Sequence, residues 1–183
     1  KKYLRENPNE ILIRCLDSDD FTEWNEWRKN EWRYHNKRGY ISLKGADLGN
    51  VNLVGADLSK VNLEKVDLKN VNLAGADLSE ANLAGADLSH ANLVGADLWK
   101  ADLKFANLWE TNLKNAQIKK ANLENAQLVR VNLEGADLWK ANLKGAKFIS
   151  VLVDKRTFIW GCDFDDQMVF SGGGLSKARI EPR

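Results

Sequence analysis

Residues Gly75 to Lys100 read GADLSEANLAGADLSHANLVGADLWK, a five-residue phrase repeated with small changes. Leucine returns at every fifth position from Leu43 to Leu143, with Ile118 as the one internal substitute and Phe148 as the last member. On an α-helix, at about 100° per residue, a step of five turns a side chain by about 140°. The leucines would then spiral over the whole surface. On a flat strand the side-chain period is two, so an odd step sends successive leucines to opposite faces. Neither element gathers them in one core. The chain must turn a corner in every pentad and wind so that each leucine points to a common axis, which is a solenoid.

The position two before each leucine is Ala in most pentads and Val in several, such as Val61 and Val131; Thr111 is the polar exception. Small residues there predict a second inward site crowded by backbone. The other three positions of the pentad are mostly polar and face outward. They carry recurrent glycines, among them Gly75 and Gly135, which suit tight corners. Each buried leucine contributes roughly 1.5–3 kcal/mol relative to exposure, offset by the ordering of the backbone.

Ala-Asp-Leu-Ser-Glu, Ala-Asn-Leu-Ala-Gly and Ala-Asp-Leu-Ser-His resemble the pentapeptide-repeat family, whose consensus is A(D/N)LXX. The likeness runs from Ile41 to about Ser150. It implies an all-β solenoid, a right-handed quadrilateral β-helix with four pentads per coil. A rod of about five and a half coils is then about 26 Å long at the usual strand spacing of ~4.8 Å. The expected division is an N-terminal α-helical cap over 1–39, the repeat β-helix over 40–150, an irregular C-terminal coil over 151–170 and a flexible tail over 171–183.

With four pentads per coil, residues twenty apart stack. Asn52, Asn72, Asn92, Asn112 and Asn132 form one outer ladder, read as structural hydrogen bonding up the rod. Asp57, Asp77, Asp97, Gln117 and Asp137 form another. Beside it run Lys60, Lys100, Lys120 and Lys140, broken by Glu80, together with Trp99, Lys119 and Trp139. This basic and aromatic stripe is the leading candidate interaction face, of the kind that binds nucleic acid or an acidic partner, and direct nucleic-acid binding through it is an alternative function. The competing and favoured reading is that its lysines neutralise the aspartates while their stems cover apolar surface. A third column, Trp109, Val129 and Ile149, is a candidate apolar patch for a partner or for self-association; the competing and favoured reading is a few isolated surface hydrophobes. Lys44, Glu64, Lys104, Glu124 and Lys144 mix signs and read as a solvated face.

A solenoid exposes strand edges at both ends, and these invite aggregation unless covered. Asn7-Pro8-Asn9-Glu10 offers a helix start, with Asn7 as N-cap. A second helix is expected from Ser18 or Asp19 to Gly39, with Phe21, Trp24, Trp27 and Trp32 packed on the first coil. After Phe148 the register weakens. Val151 and Val153 still fit, Phe158 keeps the leucine phase, and Cys162-Asp163-Phe164 stands one residue out. The words around Gly174 to Pro182 resemble junctions of repeat proteins that continue into a membrane or channel-like region.

The 183 residues carry a formal net charge of +1, which argues against a chain-wide electrostatic footprint for nucleic acid. Cys15 and Cys162 are read as free thiols of a reducing, cytoplasmic compartment. His35 and His90 lack ligand-spaced companions, so no metal, cofactor or catalytic constellation is expected, and no enzyme. The expected function is a non-enzymatic scaffold or protein–protein interaction module with an unidentified partner. It would be the soluble part of a larger protein, reaching a membrane only through a region outside this chain. A homodimer through the C-terminal coil or the apolar patch is a further expectation. Likeness to the bacterial quinolone-resistance members implies an alternative, mimicry of DNA toward gyrase. Between Ile41 and Ser150, however, thirteen Lys/Arg face thirteen Asp/Glu, a net of 13 − 13 = 0, where a DNA mimic needs a strongly acidic rod.

Overall fold

The computed structural model describes residues 8–18, 20–34, 41–165 and 169–171. From residue 41 onward the chain winds as a four-sided coil. Residues twenty apart are bridged in parallel on each side: Asn62 to Asn82 on side A, Asp67 to Asp87 on side B, Asn72 to Asn92 on side C and Asp77 to Asp97 on side D. The period of five thus closes on itself every fourth pentad. Near the C-terminal end the side-B rungs lengthen into three parallel strands, β1 (Gln127–Val129), β2 (Lys147–Ile149) and β3 (Val169–Ser171), in the order β1-β2-β3.

Most corners are hydrogen-bonded turns. The amide of Val61 donates to the Leu58 carbonyl at 3.2 Å, and the residue before it, Lys60, sits at φ 59°. Positive φ at the third turn residue is the type II signature, and glycine meets it without steric cost. Asp or Asn precedes the leucine for a local reason: its side-chain oxygen accepts the second turn amide, as from Ser79 to Asp77 at 2.9 Å. Between coils, the Leu58 amide donates upward to Asp77 O at 2.7 Å and the Asp77 amide downward to Ala56 O at 3.0 Å. The side chains from Leu53 to Leu143 in the leucine slot are at most 1% exposed.

The asparagine ladder is bonded differently from the expectation. In the column from Asn52 to Asn132, a side-chain bond between rungs joins Asn92 to Asn72 alone. The one continuous run lies on side A instead, where Asn122 donates to Asp102 and Asn142 to Asn122, with the separate pair Asn82 to Asn62 below it. The Asn52, Asn112 and Asn132 oxygens are used on their own turn amides. Thr111, the polar exception in the small slot, donates its hydroxyl to Leu88 O at 2.8 Å while 1% exposed. Thr157 and Cys162 take the same slot and do the same toward Leu133 O and Leu138 O. Burial pushes the Cys162 thiol up to about 11.

At the C-terminal end the register shifts earlier than expected. Phe158 does not keep the leucine phase: it bridges Asp137 in the aspartate slot, and Ile159, 7% exposed, takes the core position. One residue has been inserted within Asp154–Thr157, after which Cys162, Asp163 and Phe164 are in phase with Ile159. The insertion displaces a ladder carbonyl, and the Asp154 side chain replaces it by accepting the Gly135 amide at 3.0 Å. Burial alone would raise the Asp154 carboxyl. Hydrogen bonds from the Arg156 side chain and amide and from Gly135 outweigh that and hold it at about 2. Asp165 takes the Gly145 amide in the same manner at 2.9 Å.

Before the coil lie α1 (Pro8–Ser18) and α2 (Thr22–Tyr34). Ser18 closes α1 rather than opening α2, its hydroxyl donating back to Arg14 O, and Asp20 accepts the Thr22 amide at the start of α2. Phe21, Trp24 and Trp27 are buried. Trp24 Nε1 donates to Asp57 O at 2.6 Å, Asn25 Oδ1 accepts the Asp57 amide at 2.7 Å, and Arg28 donates to Ser59 O. The N-cap at Asn7, the helix stop at Gly39, the side chain of Trp32 and the tail from residue 172 lie outside the described residues. Ser171, placed with the tail by sequence, ends β3.

Candidate interaction surface

The corner between sides D and A carries the candidate stripe. Every coil presents two residues there after the side-D core residue: Ser59-Lys60, Ser79-Glu80, Trp99-Lys100, Lys119-Lys120, Trp139-Lys140 and Trp160-Gly161. Rung-to-rung bonds hold them in one column, with the Lys100 amide on Lys119 O, Lys120 on Trp139 O and Lys140 on Trp160 O, at 3.0, 2.8 and 3.1 Å. Lys100, Lys120 and Lys140 sit at φ 55°, 57° and 57°, a conformation that costs an L-residue roughly 1 kcal/mol or more.

The structure brings Trp99, Lys100, Lys119, Lys120, Trp139 and Lys140 together on adjacent rungs. Lys60 stands two rungs below Lys100, with Glu80 between them at 3.6 Å from the Lys60 amine. The neutralising role holds for Lys119, whose Nζ lies 3.2 Å from Asp137. It does not hold for the other three. Lys100 Nζ lies 4.2 Å from the Trp99 ring centroid, and Lys140 and Lys120 lie 4.7 and 5.2 Å from that of Trp139. None of the three has an ion pair among the described residues. A lysine at the third turn position projects past its own aspartate and meets first the indole of the residue before it, or that of the next rung.

Trp160, 37% exposed, extends this column by one rung. Sequence reasoning missed it because the insertion within Asp154–Thr157 had to be placed first. The available signal was Trp160-Gly161, a turn pair standing where Trp139-Lys140 stands one coil below.

The B–C corner is different. Of its expected apolar column, Trp109 is exposed at 38%, while Val129 and Ile149 are half-buried and paired in β1 and β2. Trp109 packs edge-on against His90 at 4.7 Å. His90 Nδ1 and the Arg130 guanidinium reach the two oxygens of Glu110 at 3.3 and 3.0 Å. The charges there are satisfied within the molecule.

Among the described residues, no group of three or more His, Cys, Asp or Glu is placed to hold a metal, and no helix is long and apolar enough to cross a membrane. The remaining exposed large hydrophobics are Val54, Phe105, Leu152 and Phe164.

No curated protein matches the chain. Among solved structures it is similar to a pentapeptide repeat protein from the cyanobacterium Cyanothece 51142, at 29% identity over 79% of this chain and 99% of that one, with a TM-score of 0.46. It is similar to HetL of Nostoc sp. strain PCC 7120, a pentapeptide repeat protein involved in heterocyst differentiation regulation. That match has 27% identity over 78% and 75% of the two chains, with a TM-score of 0.34. A pentapeptide repeat protein of the Arabidopsis thaliana thylakoid lumen matches at 30% identity over 66% and 77%, with a TM-score of 0.28. The family model for pentapeptide repeats matches in eight copies over residues 41–73, 62–99, 100–135 and 126–151. The chain belongs to the pentapeptide-repeat family, and its four-sided coil is the right-handed quadrilateral β-helix of that family.

Proposed function

We propose that this protein is a non-enzymatic scaffold that binds another protein along the D–A corner of its rod. Pentapeptide-repeat proteins are repeat scaffolds. What supports a particular face is one observation: Lys100, Lys120 and Lys140 stand in consecutive rungs, braced by Trp99 and Trp139 and without a carboxylate partner. Among the described residues Lys65, Lys147 and Lys155 also lack an ion pair, but they are scattered, with Lys147 on side B within β2, and none lies over an aromatic ring. Three cations held αL in one line form a continuous surface that the fold itself does not need.

In this reading α1 and α2 cap the first coil. The Asp57 amide and the carbonyls of Asp57 and Ser59 belong to the open lower edge of side D. Asn25, Trp24 and Arg28 take the place of the missing rung. The cap keeps rods from pairing edge to edge, which leaves the sides for recognition. In the same reading the chain works in the cytoplasm, as the soluble domain of a larger membrane-associated protein.

The test is site-specific crosslinking in the native host, with a photoreactive amino acid at Lys119 and, as control, at Glu64 on the A–B corner. A heterologous protein joined at Lys119 and absent at Glu64 is the expected result. Equal capture at both positions, or crosslinks only between copies of this chain, would overturn the assignment.

A further inference from the structure

We infer that the D–A corner recognises an extended acidic segment of a protein, one with carboxylates at alternating positions. The inference rests on the corner being the binding face and goes further by naming what it binds.

The first consideration is sign and spacing. Lys100, Lys120 and Lys140 occupy three successive rungs, so their backbone attachment points span about 9.6 Å at ~4.8 Å per rung. An extended peptide advances ~3.3 Å per residue, so a run of about four residues covers that length. Alternate side chains of such a peptide face the same way and come within reach of flexible lysine stems. Trp160 adds a rung above, where an apolar residue flanking the acidic run has a surface to pack on; it is 37% exposed.

The second consideration separates a protein ligand from a nucleic acid. Single-stranded nucleic acids are held by stacking bases on bare aromatic faces. Here the faces are taken. The Lys100 amine lies 4.2 Å from the Trp99 ring centroid, and Trp139 is approached by both Lys140 and Lys120, at 4.7 and 5.2 Å. A base would have to displace the ammonium groups that draw its own phosphate. A carboxylate needs no such displacement, because it meets the amine on the side away from the ring. Asp97 and Asp137 border the stripe in the adjoining side-D positions, and Lys119 is already committed to Asp137 at 3.2 Å. A phosphodiester chain with a charge on every unit runs against those carboxylates, whereas a peptide acidic at every second residue can set a neutral residue opposite them.

The experiment measures fluorescence anisotropy of the full chain with three labelled probes of equal length. They are a Glu-Ala alternating decapeptide, its Lys-Ala counterpart and a deoxythymidine decanucleotide. The Glu-Ala probe is expected to bind and to weaken at least about tenfold as added salt shortens the Debye length from ~30 to ~8 Å. The triple variant Lys100→Asn, Lys120→Asn, Lys140→Asn keeps residues that tolerate αL and should lose at least about tenfold in affinity. A charge-matched control, Lys65→Asn, Lys147→Gln, Lys155→Gln, should bind as the parent does. Tighter binding of the oligonucleotide, equal loss in the control, or no binding of the Glu-Ala probe would overturn the inference. A partner crosslinked at Lys119 whose joined segment is not acidic would overturn it too, while leaving the corner as the binding face. No crosslink at Lys119 would remove both.

Discussion

The two opposite corners of the rod share a residue at positive φ and differ in what closes their charges. On the B–C corner, His90, Glu110 and Arg130 stand at φ 59°, 54° and 56° and answer one another up the column. On the D–A corner, Lys100, Lys120 and Lys140 stand at nearly the same φ and answer only to indole rings. Turn geometry therefore does not explain the lysines, since an ionic ladder of mixed sign fits those turns equally well. A column that completes its own ion pairs has little charge left to offer a partner. A column of one sign, held apart by aromatic rings, retains it.

The comparison assumes that both corners are mounted on an interior indifferent to them, and the largest expected effect tests that. Leu98 lies beneath Trp99 and Leu108 beneath Trp109, at 1% and 0% exposure. Leu98→Ala and Leu108→Ala should each cost about 2–5 kcal/mol in urea unfolding, from lost burial and the cavity left behind. The two values should agree within about 1 kcal/mol. A larger gap would mean that one corner contributes to the stability of the core, and the contrast would then need a structural explanation.

The next effect distinguishes the corners by a tie that only one of them has in the central coils. Thr111 follows the B–C corner and donates its hydroxyl to Leu88 O; Ala101, Ala121 and Ala141 occupy that slot after the D–A corner. Thr111→Val retains the volume and removes the bond. The Leu88 carbonyl keeps the Ala91 amide at 3.0 Å, so the loss should be about 0.5–1.5 kcal/mol. Unfolding midpoints unchanged by the substitution would show that the tie adds nothing. Smaller again is Glu110→Gln, which opens the ladder on His90 and Arg130. Exposed pairs of this kind contribute about 0.2–1 kcal/mol, and the difference between variant and parent should vanish in about 1 M salt. A difference that survives the salt would mark the B–C ladder as more than surface electrostatics.

How much of this was legible beforehand follows from what each feature depends on. The inward leucines follow from the period of five, because no straight element places that period on one face; the four sides came from the family likeness. The stripe of Trp99, Lys119 and Trp139 was legible as soon as twenty-residue stacking was assumed. The partner of each lysine was not: Asp97 and Trp99 compete for the same amine, and only the turn's direction decides. Trp160 was hidden by a single inserted residue, whose position depends on Asp154 replacing a backbone carbonyl. A side chain substituting for main chain has no periodic signature. The edge contacts of Trp24, Asn25 and Arg28 join segments about thirty residues apart, beyond the reach of any local pattern.

The smallest expected effect on stability is the sharpest test of the contrast. Lys120→Gly removes a side chain from an αL position, a relief of roughly 1 kcal/mol. Against this stand the greater freedom of an unfolded glycine, roughly 0.5–1 kcal/mol, and a lost exposed cation–π contact of about 0.5–1 kcal/mol. The sum runs from about zero to about 1 kcal/mol of destabilisation, a midpoint shift of no more than about 4 °C for a chain of this size. Arg130→Gly makes the same change at a left-handed residue on the B–C corner and gives up the pair to Glu110 at 3.0 Å, about 0.2–1 kcal/mol, so the two variants should be equally stable within about 0.5 kcal/mol. Binding should separate them: affinity for the acidic probe falls in Lys120→Gly and stays at the parental value in Arg130→Gly. If Lys120→Gly destabilised the rod by more than about 1 kcal/mol, the lysine would belong to the turn itself. The D–A corner would then be a second structural ladder rather than a surface held in reserve for a partner.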